Sequence, residues 1–416
     1  MSAPALGCIA DDYTGGTDVA AALRRRGLRV MLFFGPPDDG FSATDCDAVV
    51  VALKTRALDA GTAVAMSLAA QRWLVDVVHV RTVYFKYCST FDSTPAGNIG
   101  PVTDALLDAA GAPATVICPA TPEHGRTVYQ GHLFVGEQLL AESSMRYHPL
   151  TPMTESDVVR LMAAQTPHPV KLLSRHHVRR GAEAVADAVR GADGTRHLVV
   201  DAIDDDDLDV IARAVEGMSV VTGGAGLAGA LGAVIHEHDS EPVEFATVRA
   251  PEGPTVVLAG SCSKATLGQV AQARERFSSH RLDPRTVASP ADLLAPARAW
   301  LGENLGAEPV LIYSSAAAHE RGPADPVVAD QLEATMGALA QAAVEAGARR
   351  IVVAGGETSG AVVDALGIRS VVVDAEADRG VPWCSTTDHG VSLLLKSGNF
   401  GSPDLLVRAA TAEVLT

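Results

Sequence analysis

The chain has 416 residues, a length at which one core usually divides, so two domains are expected. Apolar residues make up 47% and charged residues 20%, as in an ordinary globular protein. Lys and Arg number 33 against 50 Asp and Glu, and the resulting charge of −17 repels nucleic acid and anionic membranes, so neither is expected as a partner.

The N-terminal segment MSAPALGCIADDYTG lacks a basic stretch followed by an apolar one, and no apolar run reaches the ~18–20 residues of a membrane span. The six cysteines include no C-x-x-C pair, which favours buried free thiols. We therefore expect a cytoplasmic protein.

Short apolar runs alternate with segments of helical periodicity along the first half of the chain. The predicted strands are Leu6–Ala10, Arg29–Phe34, Ala48–Leu53, Val83–Lys86, Thr115–Cys118, Leu198–Asp201 and Ser219–Thr222. The predicted helices between them include Val19–Arg26, Ala63–Val77 and Ile99–Ala110. This alternation indicates an α/β domain with a mostly parallel sheet flanked by helices.

A polar, proline-containing stretch at 236–254 interrupts the pattern, and a domain boundary is predicted around 238–253. A second alternation then begins with the strands Thr255–Ala259, Val310–Tyr313, Ile351–Ala354 and Ser370–Val373 and the helix Ala329–Ala346. We predict an N-terminal domain at 1–240 and a C-terminal domain at 253–416. Both are expected to be α/β, with the active site in the cleft between them.

Ligands of open parallel sheets bind at loops that leave the carboxyl ends of strands. Asp11 and Asp12 close the first predicted strand, and Gly15 and Gly16 follow at the start of a helix. The glycines let an anion approach backbone N–H groups, and either carboxylate could accept a proton from a hydroxyl or bond to it. A helix cap is the simpler alternative for the carboxylates.

Three cations stand at or just past predicted strand ends: Arg56, Lys86 and Arg126. Arginines can hold a carboxylate with two parallel bonds, and a lysine acts as a point charge. Hydroxyl and carboxylate side chains, among them Ser89 and Asp92, lie beside the second cation. In so acidic a protein these cations favour a site for an anionic small substrate.

Other polar residues carry weaker signals. Asp201 ends a predicted strand and is kept as a further candidate, whereas the run 204–207 is expected to complement a helix dipole. No residues are assigned to a metal, and His124 is given no role. The run 224–229 fits G-x-G-x-x-G, but it closes the first domain, so close helix packing or a loop facing the interdomain cleft is favoured over a dinucleotide site.

Glycine-rich turns recur in the second half at 259–266, 354–360 and 396–401. The first two lead from an apolar strand into a helix, where small residues let backbone N–H groups bind phosphates. No G-x-x-x-x-G-K-[ST] loop and no protein-kinase motif is present. A nucleotide site of another type is therefore indicated.

These segments together resemble the four-carbon acid sugar kinase family, and most closely its 3-oxo-tetronate kinase branch. The resemblance extends from residue 9 to residue 404 and is carried by IADDYTGGTDVA, VVALKTR, YFKYCSTFDSTPAGNIGPV, RTVYQGHLFVGE, MRYHPLTPMTESD, VTGGAGLA, LAGSCSKAT, VVAGGETSGAVV, GVPW and LKSGNFGSPD. It implies an N-terminal domain that binds the acid sugar and a C-terminal domain that binds ATP. The implied reaction transfers the γ-phosphoryl group to the 4-hydroxyl, with Mg²⁺ accompanying ATP.

The resemblance also assigns residues by position. Ser261, Gly355, Gly356, Glu357, Thr358 and Gly398 match ATP-contacting motifs, and Asp12, Arg56, Lys86 and Arg126 match substrate-side motifs. To these we add Ser263 as ATP-binding and Asp11, Ser89 and Asp92 as substrate-binding. We expect the cations to hold the substrate carboxylate and Ser89 and Asp92 to fix hydroxyls. Asp12 is expected to orient or deprotonate the attacking 4-hydroxyl.

Three alternatives stay open. The substrate could be D-threonate or D-erythronate, which lack the 3-oxo group. A dinucleotide-dependent oxidoreductase rests only on the glycine motif at 224–229, and a non-catalytic acid-sugar sensor would not need the glycine turns that this chain keeps. The partners expected are the acid sugar and ATP, and a homodimer is left open.

Overall fold

The chain divides into two compact units, Met1–Val243 and Glu244–Thr416. The computed structural model describes residues 4–36, 46–147, 151–191, 194–239, 248–249, 251–317, 320, 325–387, 389–412 and 414–415. The linker predicted at 238–253 falls largely outside these residues. Within them, no helix has the length and apolar character needed to cross a membrane.

The first unit is built from strands that alternate with helices. Its strands are β1 (Leu6–Ala10), β2 (Val30–Phe34), β3 (Ala48–Ala52), β4 (Thr82–Lys86), β5 (Thr115–Cys118), β6 (Arg126–Tyr129), β7 (His132–Val135), β8 (Gln138–Leu139), β9 (Val170–Leu173), β10 (His197–Val200) and β11 (Val220–Gly223). Its helices are α1 (Tyr13–Arg25), α2 (Ala60–Asp76), α3 (Ile99–Ala110), α4 (Val158–Ala163), α5 (Arg175–Val178), α6 (Ala182–Arg190), α7 (Asp205–Val215) and α8 (Ala225–Asp239).

Eight of these strands form one parallel arrangement in the order β2-β3-β1-β4-β11-β5-β10-β9. The residues of β1 and β3 are all buried, because helices cover both faces of a parallel sheet. The chain leaves β1 toward β2 on one side and leaves β4 toward β5 on the other. The neighbouring carboxyl ends of β1 and β4 therefore form a topological switch point, where such sheets open a crevice.

The second unit repeats the alternation and ends it with antiparallel strands. Its strands are β12 (Val248–Arg249), β13 (Thr255–Ala259), β14 (Ser278–Arg281), β15 (Val310–Tyr313), β16 (Arg350–Ala354), β17 (Ser370–Asp378), β18 (Val381–Thr386), β19 (Ser392–Lys396) and β20 (Val414–Leu415). Its helices are α9 (Lys264–Arg274), α10 (Leu294–Asn304), α11 (Pro326–Glu345), α12 (Gly356–Leu366) and α13 (Leu405–Thr411).

Strands β14, β15, β13, β16 and β19 lie side by side in parallel, and β18 and β17 extend the row in antiparallel fashion. Helix α9 packs with α13, and α11 packs with α10 and α12. Trp383, only 1% exposed, packs in a core with residues of β13, β15, β16 and α13. The carboxyl ends of β13, β16 and β19 thus lie next to one another.

The predicted fold class, two α/β domains with mostly parallel sheets, is confirmed. Helix α1 begins at Tyr13, six residues before the predicted start, because Asp12 caps it and two glycines are accepted in its first turn. The antiparallel hairpin of β17 and β18 and the small sheet β6-β7-β8 were not predicted. The expected cleft between the domains stays a prediction.

Candidate active site

Arg56 joins two carboxylates at the carboxyl end of β1. Its Nε and Nη2 atoms donate to the two oxygens of Asp11 at 2.8 and 2.7 Å, and Nη2 also donates to Asp12 Oδ1 at 2.5 Å. Asp12 in turn accepts bonds from the Gly15 amide and the Thr14 hydroxyl, which makes it the N-cap of α1. The cap and the candidate catalytic function therefore fall on the same side chain.

Backbone pairing brings these residues together. The Asp11 carbonyl accepts from the amides of Thr55 and Arg56, and the Asp11 amide donates to the carbonyl of Lys86. Asn98 Nδ2 holds the loop after β3 through the carbonyls of Thr55 and Leu58, at 2.7 and 3.0 Å. Asn98 was not identified from the sequence, since a helix-initiating Asn gives no sign of a bond to a distant loop.

The pKa values of Asp11 and Asp12 are shifted in opposite directions. Burial raises the pKa of Asp11, against the opposing charge of Arg56. Burial also acts on Asp12, but the charges of Arg56 and Lys86 and the bonds from Thr14 and Gly15 hold the pKa of Asp12 below its ordinary value. Asp12 is therefore an ionised acceptor at neutral pH, better suited to orienting a hydroxyl than to strong basicity.

Lys86 ends β4 and is buried, with its side chain 3% exposed. A Cβ atom on Gly15 would lie 3.2 Å from Lys86 Nζ and 2.2 Å from Asp12 Oδ1, so the glycine allows this close approach. The nearest charge partner of Lys86 is Asp18 on α1, at 3.7 Å. Asp18 Oδ1 lies 3.7 Å from Nε2 of His124, so the residue that was given no role belongs to this buried group.

The loop after β4 holds its own polar groups. Asp92 accepts from the Thr90 hydroxyl at 2.6 Å and from the Cys88 thiol at 3.0 Å. Burial and the charge of Asp92 raise the pKa of Cys88 to about 12, so the thiol keeps its proton. Phe91 is fully buried with φ at 51°, a strained conformation of the kind found near functional sites. Ser89 is half-buried on the same loop.

Arg126 opens β6 of the small antiparallel sheet and donates to the carbonyl of His124. Asp201 fastens this sheet to the end of β10. Its carboxylate is fully buried and accepts from the amides of Gln130, Gly131 and Arg175 at 2.8 to 2.9 Å. Asp201, kept as a candidate from the sequence, thus anchors loops in this structure.

The glycine motif at 224–229 serves close packing. A Cβ atom on Gly224 would meet the Pro119 carbonyl at 2.7 Å, and one on Gly226 would meet the Ala120 carbonyl at 2.9 Å. Both glycines thus let the start of α8 lie against the backbone that follows β5. This supports the packing interpretation over a dinucleotide site.

In the second unit, three glycine turns converge at the ends of β13, β16 and β19. A Cβ atom on Gly260 would lie 2.1 Å from Thr358 Oγ1, and one on Gly398 would lie 2.4 Å from Ser261 Oγ. Gly355 has φ at 132° and adjoins both Ser261 and Thr358. The assigned nucleotide-binding residues of three separate sequence segments therefore share one small region.

Helix N-termini in this region differ in their caps. Ser263 caps α9 by accepting from the Thr266 amide, and its hydroxyl donates to the Gly398 carbonyl at 2.5 Å. Helix α12 begins after Gly355 with no side-chain cap, and Glu357 in its first turn is exposed. Amides at an uncapped start are suited to an anion. The Ser263 hydroxyl is already engaged at the start of α9 and at Gly398, and its assignment to the nucleotide stays a prediction.

Lys396, the last residue of β19, was not identified from the sequence although it lies beside the assigned Gly398. It is fully buried, and Nζ donates to Thr266 Oγ1, the Ser397 carbonyl and the Gly398 carbonyl at 2.8 to 2.9 Å. Burial lowers the pKa of Lys396 to about 7. Gln269 was also missed; its Nε2 contacts the carbonyls of residues 400–402 at 2.9 to 3.1 Å.

The two units match two family models. Residues 6–231 match a sugar-binding N-terminal domain, and residues 256–406 match a nucleotide-binding C-terminal domain. The charged site at β1 and β4 lies in the first range, and the glycine turns lie in the second. The chain thus falls in a class of proteins that combine a sugar-binding domain with a nucleotide-binding one.

Curated relatives narrow the class. A 3-oxo-tetronate kinase of Burkholderia multivorans is 46% identical over 99% of this chain and 98% of its own, and one of Cupriavidus necator is 45% identical over 98% and 96%. The chain belongs to the four-carbon acid sugar kinase family, on its 3-oxo-tetronate kinase branch.

Solved structures agree with the fold. A Salmonella typhimurium LT2 protein described as a candidate tRNA synthase is 38% identical, with a TM-score of 0.86 over 98% of both chains. A Haemophilus influenzae protein is 37% identical, with a TM-score of 0.76 over 97% of this chain and 98% of its own.

Proposed function

We propose that this chain is an ATP-dependent kinase that phosphorylates the 4-hydroxyl of 3-oxo-tetronate. The observation that carries the proposal is the near-complete coverage of the chain by relatives named 3-oxo-tetronate kinase. The geometry adds support from both units, because a cation-bearing site lies at a switch point in the first and convergent glycine turns lie in the second. The product is the 4-phosphate of the acid sugar, with ADP released.

In the first unit, Asp12 accepts the hydrogen bond of the attacking hydroxyl. A carboxylate with a lowered pKa can do this, because phosphoryl transfer depends chiefly on positioning and charge neutralisation. Arg56 holds Asp11 and Asp12 in place through Nε and Nη2, so only the remaining N–H groups of its guanidinium contribute to substrate binding. Lys86 and Arg126 then carry more of the attraction for the substrate carboxylate.

The loop after β4 contributes shape as well as bonds. Both oxygens of Asp92 are engaged by Thr90 and Cys88, so Asp92 holds the loop. Ser89 is then the residue of this loop that bonds a substrate hydroxyl. The buried Phe91 in its strained conformation fixes where Ser89 lies.

In the second unit, ATP is held by backbone amides at the start of α12, at Gly356, Glu357 and Thr358, with Ser261 and Gly398 beside them. Mg²⁺ accompanies the triphosphate. The described residues contain no group of three or more His, Cys, Asp or Glu side chains that could hold a metal ion. Magnesium that is bound largely by phosphate oxygens and water needs only one or two carboxylates from a protein.

A coupled assay of ADP release tests the proposal. The purified chain is supplied with ATP and Mg²⁺ and with 3-oxo-tetronate, D-threonate or D-erythronate in parallel, and a reaction without acid sugar is the control. We expect the largest kcat/KM with 3-oxo-tetronate. A larger value with either of the other acids would transfer the assignment to that substrate, and no ADP release with any of them would refute the kinase assignment.

The same preparation addresses two further expectations. A cytoplasmic location is proposed because the reaction draws on ATP, and fractionation of producing cells would check it. Formation of a homodimer stays a prediction, which light scattering on the purified chain would decide.

A further inference from the structure

Lys396 carries a buried amino group whose charge, when it is protonated, no carboxylate among the described residues balances. The part of the chain that the structure describes shows no ion pair to Nζ, and its three bonds go to one hydroxyl and two carbonyls. Removing an ammonium from water without a counter-ion is costly, by several kcal/mol even after relaxation. Such a group persists where its charge or its bonds are needed.

The hydrogen bonds of Lys396 and its neighbours hold the backbone carbonyls of the loop after β19 toward the interior of the second unit. The Gly398 carbonyl accepts from Lys396 Nζ, from Ser263 Oγ and from Thr266 Oγ1, all at 2.5 to 2.8 Å. The Ser397 carbonyl also accepts from Lys396, and Gln269 takes the carbonyls of residues 400–402. Carbonyl groups along most of this loop therefore point into the unit.

In a trans peptide the N–H group points opposite to the carbonyl of the preceding residue. The inward carbonyls of residues 397, 398 and 400 therefore direct the amides of Gly398, Asn399 and Gly401 outward. None of these three amides donates to another described group of the protein. Asn399 is exposed, and Gly398 adjoins Ser261 of the neighbouring glycine turn.

Outward amides on one short loop form a concave site for an anion, and a cation behind them increases its attraction for negative charge. We propose that Lys396 is a positioning residue that holds this loop carbonyl-inward, so that the Gly398, Asn399 and Gly401 amides bind the phosphates of the nucleotide. The inference rests on the proposed function in one respect, since it takes the second unit to bind ATP.

Two variants and one control test it. Lys396→Met removes the ammonium at similar length, and Thr266→Val removes the hydroxyl shared by Lys396 and Gly398 with little change of shape. The control is Thr255→Val, at the far end of β13, a buried threonine whose hydroxyl has no partner among the described groups. Binding of ATP and of adenosine, which has no phosphate, is measured for each by competition or calorimetry.

Loss of bonds that involve a charged group predicts a rise in the Kd of ATP of ~10- to 100-fold for Lys396→Met and ~5-fold or more for Thr266→Val. The Kd of adenosine and the KM of the acid sugar should stay within ~2-fold of the unchanged protein, as should every constant of Thr255→Val. An equal loss of ATP and adenosine affinity would show a general structural role and overturn the inference.

Unchanged ATP affinity in both variants would also overturn it, while leaving the kinase assignment intact. If Lys396→Met does not fold, as judged by circular dichroism and thermal unfolding, Thr266→Val alone decides. Failure of the unchanged protein to bind ATP would defeat the proposed function and this inference together, so the two failures are distinguishable.

Discussion

The two candidate sites offer an anionic ligand different chemical groups. In the first unit, charged side chains already balance one another: Arg56 pairs with Asp11 and Asp12, and Lys86 lies near Asp18. In the second unit, the assigned residues are mostly glycines and hydroxyls, and one buried ammonium has no carboxylate partner among the described residues. One site is a set of ion pairs, and the other is mostly backbone.

This difference teaches how a protein with a net charge of −17 can bind two anions. Charges that are paired in advance favour a ligand that fits the existing pairs, so the first site is suited to discrimination between similar acid sugars. Backbone amides are not specific for one anion shape and need no side-chain rearrangement, so the second site suits the phosphates common to all nucleotides.

Removal of one charge at the first site should have the largest effect. In Asp12→Asn the cap of α1 is kept, because the amide oxygen still accepts from Gly15, but the charge that orients the hydroxyl is lost. We expect kcat to fall by ~10²- to 10⁴-fold, with the KM of ATP nearly unchanged, in steady-state assays. Turnover close to that of the unchanged protein would exclude Asp12 as the residue that acts on the hydroxyl.

Breaking the ion pairs should next affect stability. Arg56→Met leaves the buried Asp11 and its neighbour Asp12 without their shared partner, which should lower the free energy of unfolding by ~2–4 kcal/mol at pH 7. Without Arg56 the pKa of Asp11, already raised by burial, rises further. An acid whose pKa is raised in the folded state destabilises the protein only when it is ionised. The loss of unfolding free energy in Arg56→Met should therefore shrink as the pH falls from 7 toward 5.

Urea denaturation of Arg56→Met and the unchanged protein at both pH values measures this. Arg29→Met is a suitable control, because Arg29 forms a comparable pair with Asp47 in which the two side chains are 46% and 33% exposed. Its effect should be below ~1 kcal/mol. A deficit of Arg56→Met that grows on acidification would contradict the charge arrangement described here.

Two matched glycine substitutions separate the sites with a smaller effect. Gly15→Ala places a Cβ atom 2.2 Å from Asp12 Oδ1, and Gly398→Ala places one 2.4 Å from Ser261 Oγ. We expect the first to raise the KM of the acid sugar and the second the KM of ATP, each by ~10-fold, a misfit of about 1.4 kcal/mol. A crossed pattern, or equal effects on both substrates, would show that the two sites are wrongly assigned.

Much of the fold follows from local sequence pattern. The buried strands β1, β5, β13 and β15 were predicted with the bounds they have, because each is a short run of mostly apolar residues. The edge strands β9 and β14 were missed, since VKLL and SSHR are half-exposed and lack an apolar run. The hairpin β17–β18 was missed because pairing direction is a non-local property.

The candidate site shows the same limit. Strand-end residues such as Asp12 and Lys86 could be proposed because parallel sheets place ligands there. Asp18, Asn98 and Gln269 act through contacts with residues 35 or more positions away in the chain, which periodicity does not reveal. Lys396 stood inside a recognised turn, but only burial distinguishes it from the exposed Lys264 in a similar turn.

The carboxylate of Asp201 has a consequence for the reach of the first site. It ties the turn at 130–131 and the start of α5 to the end of β10, and Val128 also pairs with Ala202. The small antiparallel sheet that carries Arg126 is therefore fixed to the parallel sheet at several points. The position from which Arg126 extends toward a ligand thus depends on Asp201. That acid lies 75 positions later in the chain and need not contact the ligand itself.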